Sequence, residues 1–241
     1  MLNRLIYFLK KSIRPLLKNK VVHFIGDSHT EVFWFMEFSP LYFWRIIPKI
    51  KIVHGATATG LANPNSKTNA MEQFNTYLSR EVKKGDYVVI QLGEVDCGFA
   101  IWYRAEKHGI SVNEQMDLAI ENYSKLIKKT MEKAGQNIII CSAVLPTIKD
   151  KQSLGEVANL RKEITESMKS RTDLTLSFNN SLQKIAVDHE LFFLNLDNDI
   201  LDKSSGTVDS AFLNTDPLDH HLNPKALSKV IYRQLIRFLF N

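Results

Sequence analysis

The sequence predicts a three-layer α/β/α sandwich around a parallel sheet of five strands. Two observations carry this expectation. Short apolar runs rich in Val, Ile and Leu recur at five places, and longer stretches with helical spacing separate most of them. Because the runs are apolar at consecutive rather than alternating positions, both faces of the sheet should be covered.

In chain order, residues 1–20 read as a basic amphipathic helix. Leu2, Leu5, Ile6, Leu9, Ile13, Leu16 and Leu17 recur at spacings of three and four, with bases interleaved and Pro15 marking a place for a kink. Strands are expected over Val21–Ile25, Ile50–Val53, Tyr87–Leu92, Asn137–Ala143 and Leu191–Leu196. Helices are expected over Asn69–Lys84, Asn113–Ala134, Leu154–Lys169, Thr175–His189 and Pro224–Phe240. The chain thus divides into a tail, residues 1–20, and one domain, residues 21–241, with no internal repeat or low-complexity segment.

Composition sets further bounds. With 241 residues, 44% of them hydrophobic and 24% charged, the chain is an ordinary globular one, neither disordered nor a disulfide-built miniprotein. The net charge of +5 is a property of the tail: Arg4, Lys10, Lys11, Arg14, Lys18 and Lys20 face no acid there, leaving 25 bases against 26 acids for the rest. A nucleic-acid partner is therefore not expected, since counterion release needs a dense cationic face on the folded domain. The tail suits an anchor lying in a membrane surface, its bases attracted by anionic lipid; the bland alternative is a helix packed on its own domain. Cys97 and Cys141 each sit in or beside an apolar run, as buried free thiols do. Leu5–Leu9 is too short for the core of a signal peptide, and no run approaches the ~18 apolar residues of a transmembrane helix. A cytoplasmic location is expected, with peripheral contact at the inner membrane face through residues 1–20.

In a doubly covered parallel sheet the ligand site lies beyond the carboxyl ends of the strands. Three polar clusters fall there or in later loops: Gly26-Asp27-Ser28-His29, Gly93-Glu94-Val95-Asp96 and Asp219-His220-His221. Together they supply the parts of a nucleophilic triad. A serine hydroxyl is weak until a histidine takes its proton, and that histidine needs a carboxylate to fix its tautomer and stabilise the imidazolium. Ser28 is the expected nucleophile, His221 the base and Asp219 the orienting acid. Backbone amides at Ser28 and at a glycine of the Gly55–Gly60 loop, Gly60 in particular, are candidate oxyanion donors, worth roughly 3–4 kcal/mol each. Asp27 is read as shaping its turn, and His29 as lining or covering the pocket. Taken alone, the adjacent His220 and His221 also suit a surface pair or metal ligands. The aromatic run Phe33, Trp34, Phe35, Phe38, Tyr42, Phe43 and Trp44 is read as core and sheet cover; Trp102 and Tyr103 are the better candidates for stacking on a sugar ring. His23, His54, His108 and His189 lack ligand-like spacing and are read as structural or surface residues.

At these residues the chain resembles the SGNH, or GDSL-type, hydrolase superfamily. Val22-His-Phe-Ile-Gly-Asp-Ser-His29 is similar to that family's first block and Asp219-His-His-Leu-Asn-Pro224 to its last, with a glycine loop and a Gly-x-x-Asp block between. The resemblance covers residues 21–241 and implies a flavodoxin-like parallel five-stranded sheet. It also implies ester chemistry through a seryl-ester intermediate. The Gly93-Glu-Val-Asp-Cys97 variant resembles a divergent branch associated with bacterial surface polysaccharide, which implies an acylated carbohydrate, or another ester, as substrate.

Two departures from the family pattern stand out. Val95 occupies the position of an Asn that completes the oxyanion hole, so a side-chain donor is missing; Glu94 and Asp96 cannot replace it while ionised, and are retained as substrate-binding candidates, Asp96 also as a brace for its loop. The family acid precedes its histidine by three residues, where this chain has Leu218. Asp219 and Asp216 are then alternative acids, and His220 an alternative base. The functional reading is an O-acyl ester hydrolase or O-acetyltransferase. Its alternatives are an inactive SGNH-fold scaffold and a lipid or thioester hydrolase. No metal or organic cofactor is expected, because no nucleotide loop or clustered ligand set occurs in the sequence.

Overall fold

A computed structural model describes residues 19–38, 45–150 and 165–240 of the chain. Five parallel strands, β1 (Lys20–Gly26), β2 (Ile46–Ile52), β3 (Tyr87–Gln91), β4 (Ile138–Cys141) and β5 (Phe192–Leu194), form one sheet in the order β2-β1-β3-β4-β5. This is the flavodoxin-like order, whose direction of winding reverses between β1 and β3.

The period of two within the strands divides the core. Ile25, Val88, Ile90, Ile138 and Ile140 face one layer of helices, α2 (Ala70–Glu81), α4 (Val112–Ala134) and α5 (Met168–Asp188), and meet Phe74, Tyr123 and Phe178 there. Val22, Phe24, Val89, Ile139 and Cys141 face the other layer, built by α1 (Val32–Phe38) and α6 (Pro224–Phe240), where Phe33, Met36, Leu227 and Ile231 fill the space. Phe24 and Phe33 stack with centroids 3.9 Å apart, which ties α1 to the sheet and fixes the turn before it. Each such buried side chain contributes roughly 1.5–3 kcal/mol. A further helix, α3 (Ile101–His108), follows a π-helical turn at Asp96–Ala100, and a single helical turn at Asp197–Ile200 follows β5. A two-stranded ribbon, Leu201–Asp202 with Thr207–Val208, lies outside the main sheet.

Local signals explain the boundaries. Ser111 and Glu114 form a reciprocal capping box at the start of α4, and Gly135, at φ 62°, ends it. Ser167 caps α5 through Ser170 N, so that helix begins at Met168, seven residues before the expected Thr175. The helix expected over Leu154–Lys169 falls largely outside the described residues, and residues 165–167 are not helical. β2 starts four residues before the expected Ile50 and includes Pro48, which an edge strand tolerates because only one of its sides is paired. The amphipathic helix expected over residues 1–20 lies outside the described residues up to Lys18.

Candidate active site

The turn after β1 is built around a glycine that nothing else can replace. A Cβ at Gly26 would stand 2.0 Å from the Gln91 carbonyl oxygen and 2.3 Å from Thr30 Oγ1. Asp27 then caps a 3-10 turn, Ser28–Glu31, accepting from the His29 N–H at 2.9 Å. Ser28 is the first residue of that turn and is half-buried. After β3, Gly93 takes φ 126°, and a Cβ there would meet Phe178 and Ala143 below 3.0 Å. This turn aims Glu94 and Asp96 in different directions.

Asp96 is fully buried and accepts from Ala58 N at 2.7 Å, Thr59 N at 2.9 Å and Thr59 Oγ1 at 2.7 Å. Its carboxylate braces the loop after β2, and burial pushes its pKa up against the pull of the Thr59 and Ala58 hydrogen bonds. The Gly60 N–H is donated to Thr57, at 2.9 Å to Oγ1 and 3.1 Å to the carbonyl oxygen. Two residues expected to meet substrate or oxyanion are thereby committed to the loop itself. Glu94 is buried and lies 3.0 Å from His29 Nε2, so its contact is to a neighbouring imidazole.

The last cluster is organised by α6. Asn223 accepts from Lys225 N and Ala226 N as a helix cap, and Pro224 takes the first helical position, where its missing N–H costs nothing. Asn223 N also donates to Phe212 O at 2.8 Å, clamping the loop that carries the histidines. Asp219 Oδ1 accepts from the His221 backbone N–H at 2.9 Å and lies 2.7 Å from His221 Nδ1, while Asp219 Oδ2 accepts from Asn214 Nδ2 at 2.7 Å. A separation of two residues suffices because one carboxylate oxygen closes an Asx turn and holds the ring together. Asp216 instead accepts from Leu218 N and stands away from the imidazole's hydrogen bond.

His221 Nε2 is buried and has no hydrogen-bond partner among the described residues. Burial pushes the His221 imidazole below the usual histidine pKa, the charge of His29 adds to this, and Asp219 pulls the other way. For Asp219, burial acts upward but the His221 hydrogen bonds outweigh it, leaving the carboxyl below its ordinary value. The balance favours the neutral imidazole, with Nδ1 facing a carboxylate and Nε2 unpartnered. Asp27, by contrast, is pushed up to about 6, chiefly by burial.

A cavity of about 160 Å³ adjoins this pair, lined by His29, Val32, Trp34, Asp219, His221 and Leu222 among others. The structure therefore joins His221 to Asp219 and sets His29 beside His221, with ring centroids 4.8 Å apart. Ser28 is next to His29 in the chain, but the Ser28 hydroxyl and His221 Nε2 are not hydrogen-bonded to each other. Such contacts often tighten only when substrate binds. Trp34 is 43% exposed and faces the cavity, so it is not the core residue expected of its aromatic run. The signal was its helical phase: Val32, Phe33 and Met36 point to the sheet and leave Trp34 on the other side. Trp102 is half-buried and donates to the Cys97 carbonyl oxygen at 2.7 Å, which leaves Tyr103 as the exposed ring of that pair. Neither the His29–Glu94 contact nor the Asn214 support of Asp219 had any sequence signal.

No protein-family model and no curated protein matches the chain. Solved structures do. A candidate acylhydrolase from Bacteroides fragilis superposes with a TM-score of 0.56 at 16% identity, covering 91% of this chain and 86% of that one. A GDSL-like lipase from Bacteroides thetaiotaomicron gives 0.54 at 14% identity, over 92% and 88% of the two chains. Phospholipase A1 from Streptomyces albidoflavus gives 0.51 at 14% identity, over 91% and 99%. The fold is thus that of a three-layer α/β class with its polar clusters at the strand ends. Within that class, the chain has the fold of the SGNH, or GDSL-type, hydrolases.

Proposed function

We propose that the protein is a serine-dependent O-acyl ester hydrolase in which Ser28 attacks the ester carbonyl, His221 takes and returns the proton, and Asp219 orients His221. The observation that carries this reading is the His221–Asp219 pair, with Nδ1 held at 2.7 Å and Nε2 buried and unpartnered, on the fold of SGNH hydrolases. Attack forms a bond from Ser28 Oγ to the carbonyl carbon while the proton passes to Nε2. Collapse expels the alcohol, which leaves with that proton; water then hydrolyses the seryl ester by the same exchange.

The cavity size supports a short acyl group, since about 150 Å³ is the volume that takes a benzene-sized molecule. Trp34 at its wall supports a ring-bearing alcohol, in line with the carbohydrate ester that the Gly93-Glu-Val-Asp-Cys97 block implies. A sugar hydroxyl in place of water would turn the same steps into O-acetyl transfer. Contact of residues 1–20 with a membrane surface suits a precursor carried on lipid. Among the described residues no helix is long and apolar enough to cross a membrane.

The test is turnover of p-nitrophenyl acetate by the full chain. Wild type is expected to hydrolyse it, and Ser28→Ala to lower kcat by about 10³-fold or more with the melting temperature unchanged. A Ser28→Ala variant as active as wild type would overturn the proposal.

A further inference from the structure

Beside the candidate base stands a group of three imidazoles. His29, His220 and His221 each bring one ring nitrogen to within 4.8 Å of the others. The ring centroids lie 4.8 Å apart for His29 and His221, 4.1 Å for His220 and His221, and 5.5 Å for His29 and His220. Two of the rings are fixed by carboxylates: Asp219 at 2.7 Å from His221 Nδ1, and Glu94 at 3.0 Å from His29 Nε2. A carboxylate on one ring nitrogen is the arrangement that fixes the tautomer and orientation of zinc-ligating histidines and raises their basicity. Three imidazoles, two of them (His29 and His221) lining a cavity, also match the donor set of an accessible zinc site.

We infer that His29, His220 and His221 form a binding site for Zn²⁺, and that its occupancy silences the ester hydrolase by occupying His221 Nε2. The inference rests on the proposed role of His221. At a Zn–N length of about 2.0–2.1 Å, tetrahedral ligand nitrogens stand about 3.3 Å apart, so the present 4.8 Å spread closes by modest ring rotation. His220, the ring without a carboxylate clamp in this group, is only half-buried on the loop before α6, where such rotation is inexpensive. His221 Nε2 has no partner to give up. A nitrogen bonded to zinc has no lone pair left for the Ser28 proton, so the metal and the proton transfer exclude each other. The site thus departs from the sequence expectation of no metal: His29 lies 191 positions or more from the other two ligands, and its part in the cluster is set by the fold.

The experiment uses the full chain stripped of metal by a chelator. Zinc chloride is titrated by calorimetry, and p-nitrophenyl acetate turnover is followed over the same concentrations. The expected result is one zinc bound per chain, with turnover falling at the concentrations where the site fills. His220→Ala is expected to weaken zinc binding at least tenfold and to shift any zinc inhibition to correspondingly higher concentrations. Ser28→Ala is expected to lose turnover yet bind zinc as wild type does. Co²⁺ added to wild type should give the visible d–d bands of a low-coordinate nitrogen site, a readout needing neither a variant nor activity. Absence of one-to-one zinc binding by wild type, or equal binding by His220→Ala, would overturn the inference. Zinc binding in a wild type that turns over no ester would support the metal site and count against the hydrolase reading alone.

Discussion

His23 and His221 are both held by a carboxylate, and burial pushes both below the usual histidine pKa, yet only one is arranged to react. His23, on β1, is fully buried with both nitrogens engaged: Nδ1 lies 2.9 Å from the Tyr77 hydroxyl and Nε2 3.0 Å from Asp86. His221, on the loop before α6, has Nδ1 engaged and Nε2 open. The lowered pKa therefore does not separate a structural imidazole from a reactive one. What separates them is the satisfied second nitrogen, because a ring with two partners has nowhere to put a substrate proton.

The largest expected effects break the pair apart. His221→Ala should lower kcat by about 10³-fold or more and shift the denaturation midpoint less, since it gives up only the Nδ1 contact to Asp219, which keeps the residue-221 backbone N–H and Asn214. His23→Ala should do the reverse, costing about 2–4 kcal/mol in denaturant unfolding by taking the imidazole partner from the Tyr77 hydroxyl and from Asp86, which keeps only the Lys83 N–H on that oxygen, with the folded fraction still active. Parallel denaturation and turnover measurements check both; loss of turnover in folded His23→Ala would erase the distinction.

A smaller effect appears in pH profiles. As the proposed base, His221 must be neutral to act, so kcat/KM should fall as pH drops, with a midpoint below 6.5. Substituting His23 should leave that midpoint in place. Stability behaves differently. Both imidazoles bind fewer protons folded than unfolded between their lowered pKa and 6.5, so their part of the stability rises with pH through that window and is level above it. Asp27 opposes this: its pKa, raised to about 6, makes the folded state lose stability as pH climbs from about 4 to 6. A kcat/KM midpoint above 6.5 would contradict the account.

The smallest effect concerns the cavity wall. Trp34→Ala should raise KM for a sugar-borne ester by about three- to tenfold and change kcat by less than twofold, because an exposed ring binds without touching the reacting atoms. Steady-state kinetics on an acetylated glycoside against p-nitrophenyl acetate would show it as a difference between substrates.

The sheet was legible because apolar runs such as Val88-Val-Ile90 and Ile138-Ile-Ile140 leave no solvent face. Pro48 obscured the start of β2, since its tolerance depends on the strand lying at an edge, which is a property of the assembled sheet. The Gly26-Asp-Ser-His turn and the Asp219-x-His221 pair were readable because their bonds are local. The commitments of Asp96 to Thr59, Glu94 to His29 and Gly60 to Thr57 were not: the first two join residues 37 and 65 positions apart, and the third depends on which way a loop amide turns.

The most direct measurement is labelling of the full chain with a fluorophosphonate probe, followed by mass mapping of the adduct in wild type, His221→Ala and His23→Ala. An adduct is expected on Ser28 in wild type and in folded His23→Ala, and little or none in His221→Ala. An unlabelled wild type, or an adduct on Ser28 that survives loss of His221, would contradict that expectation.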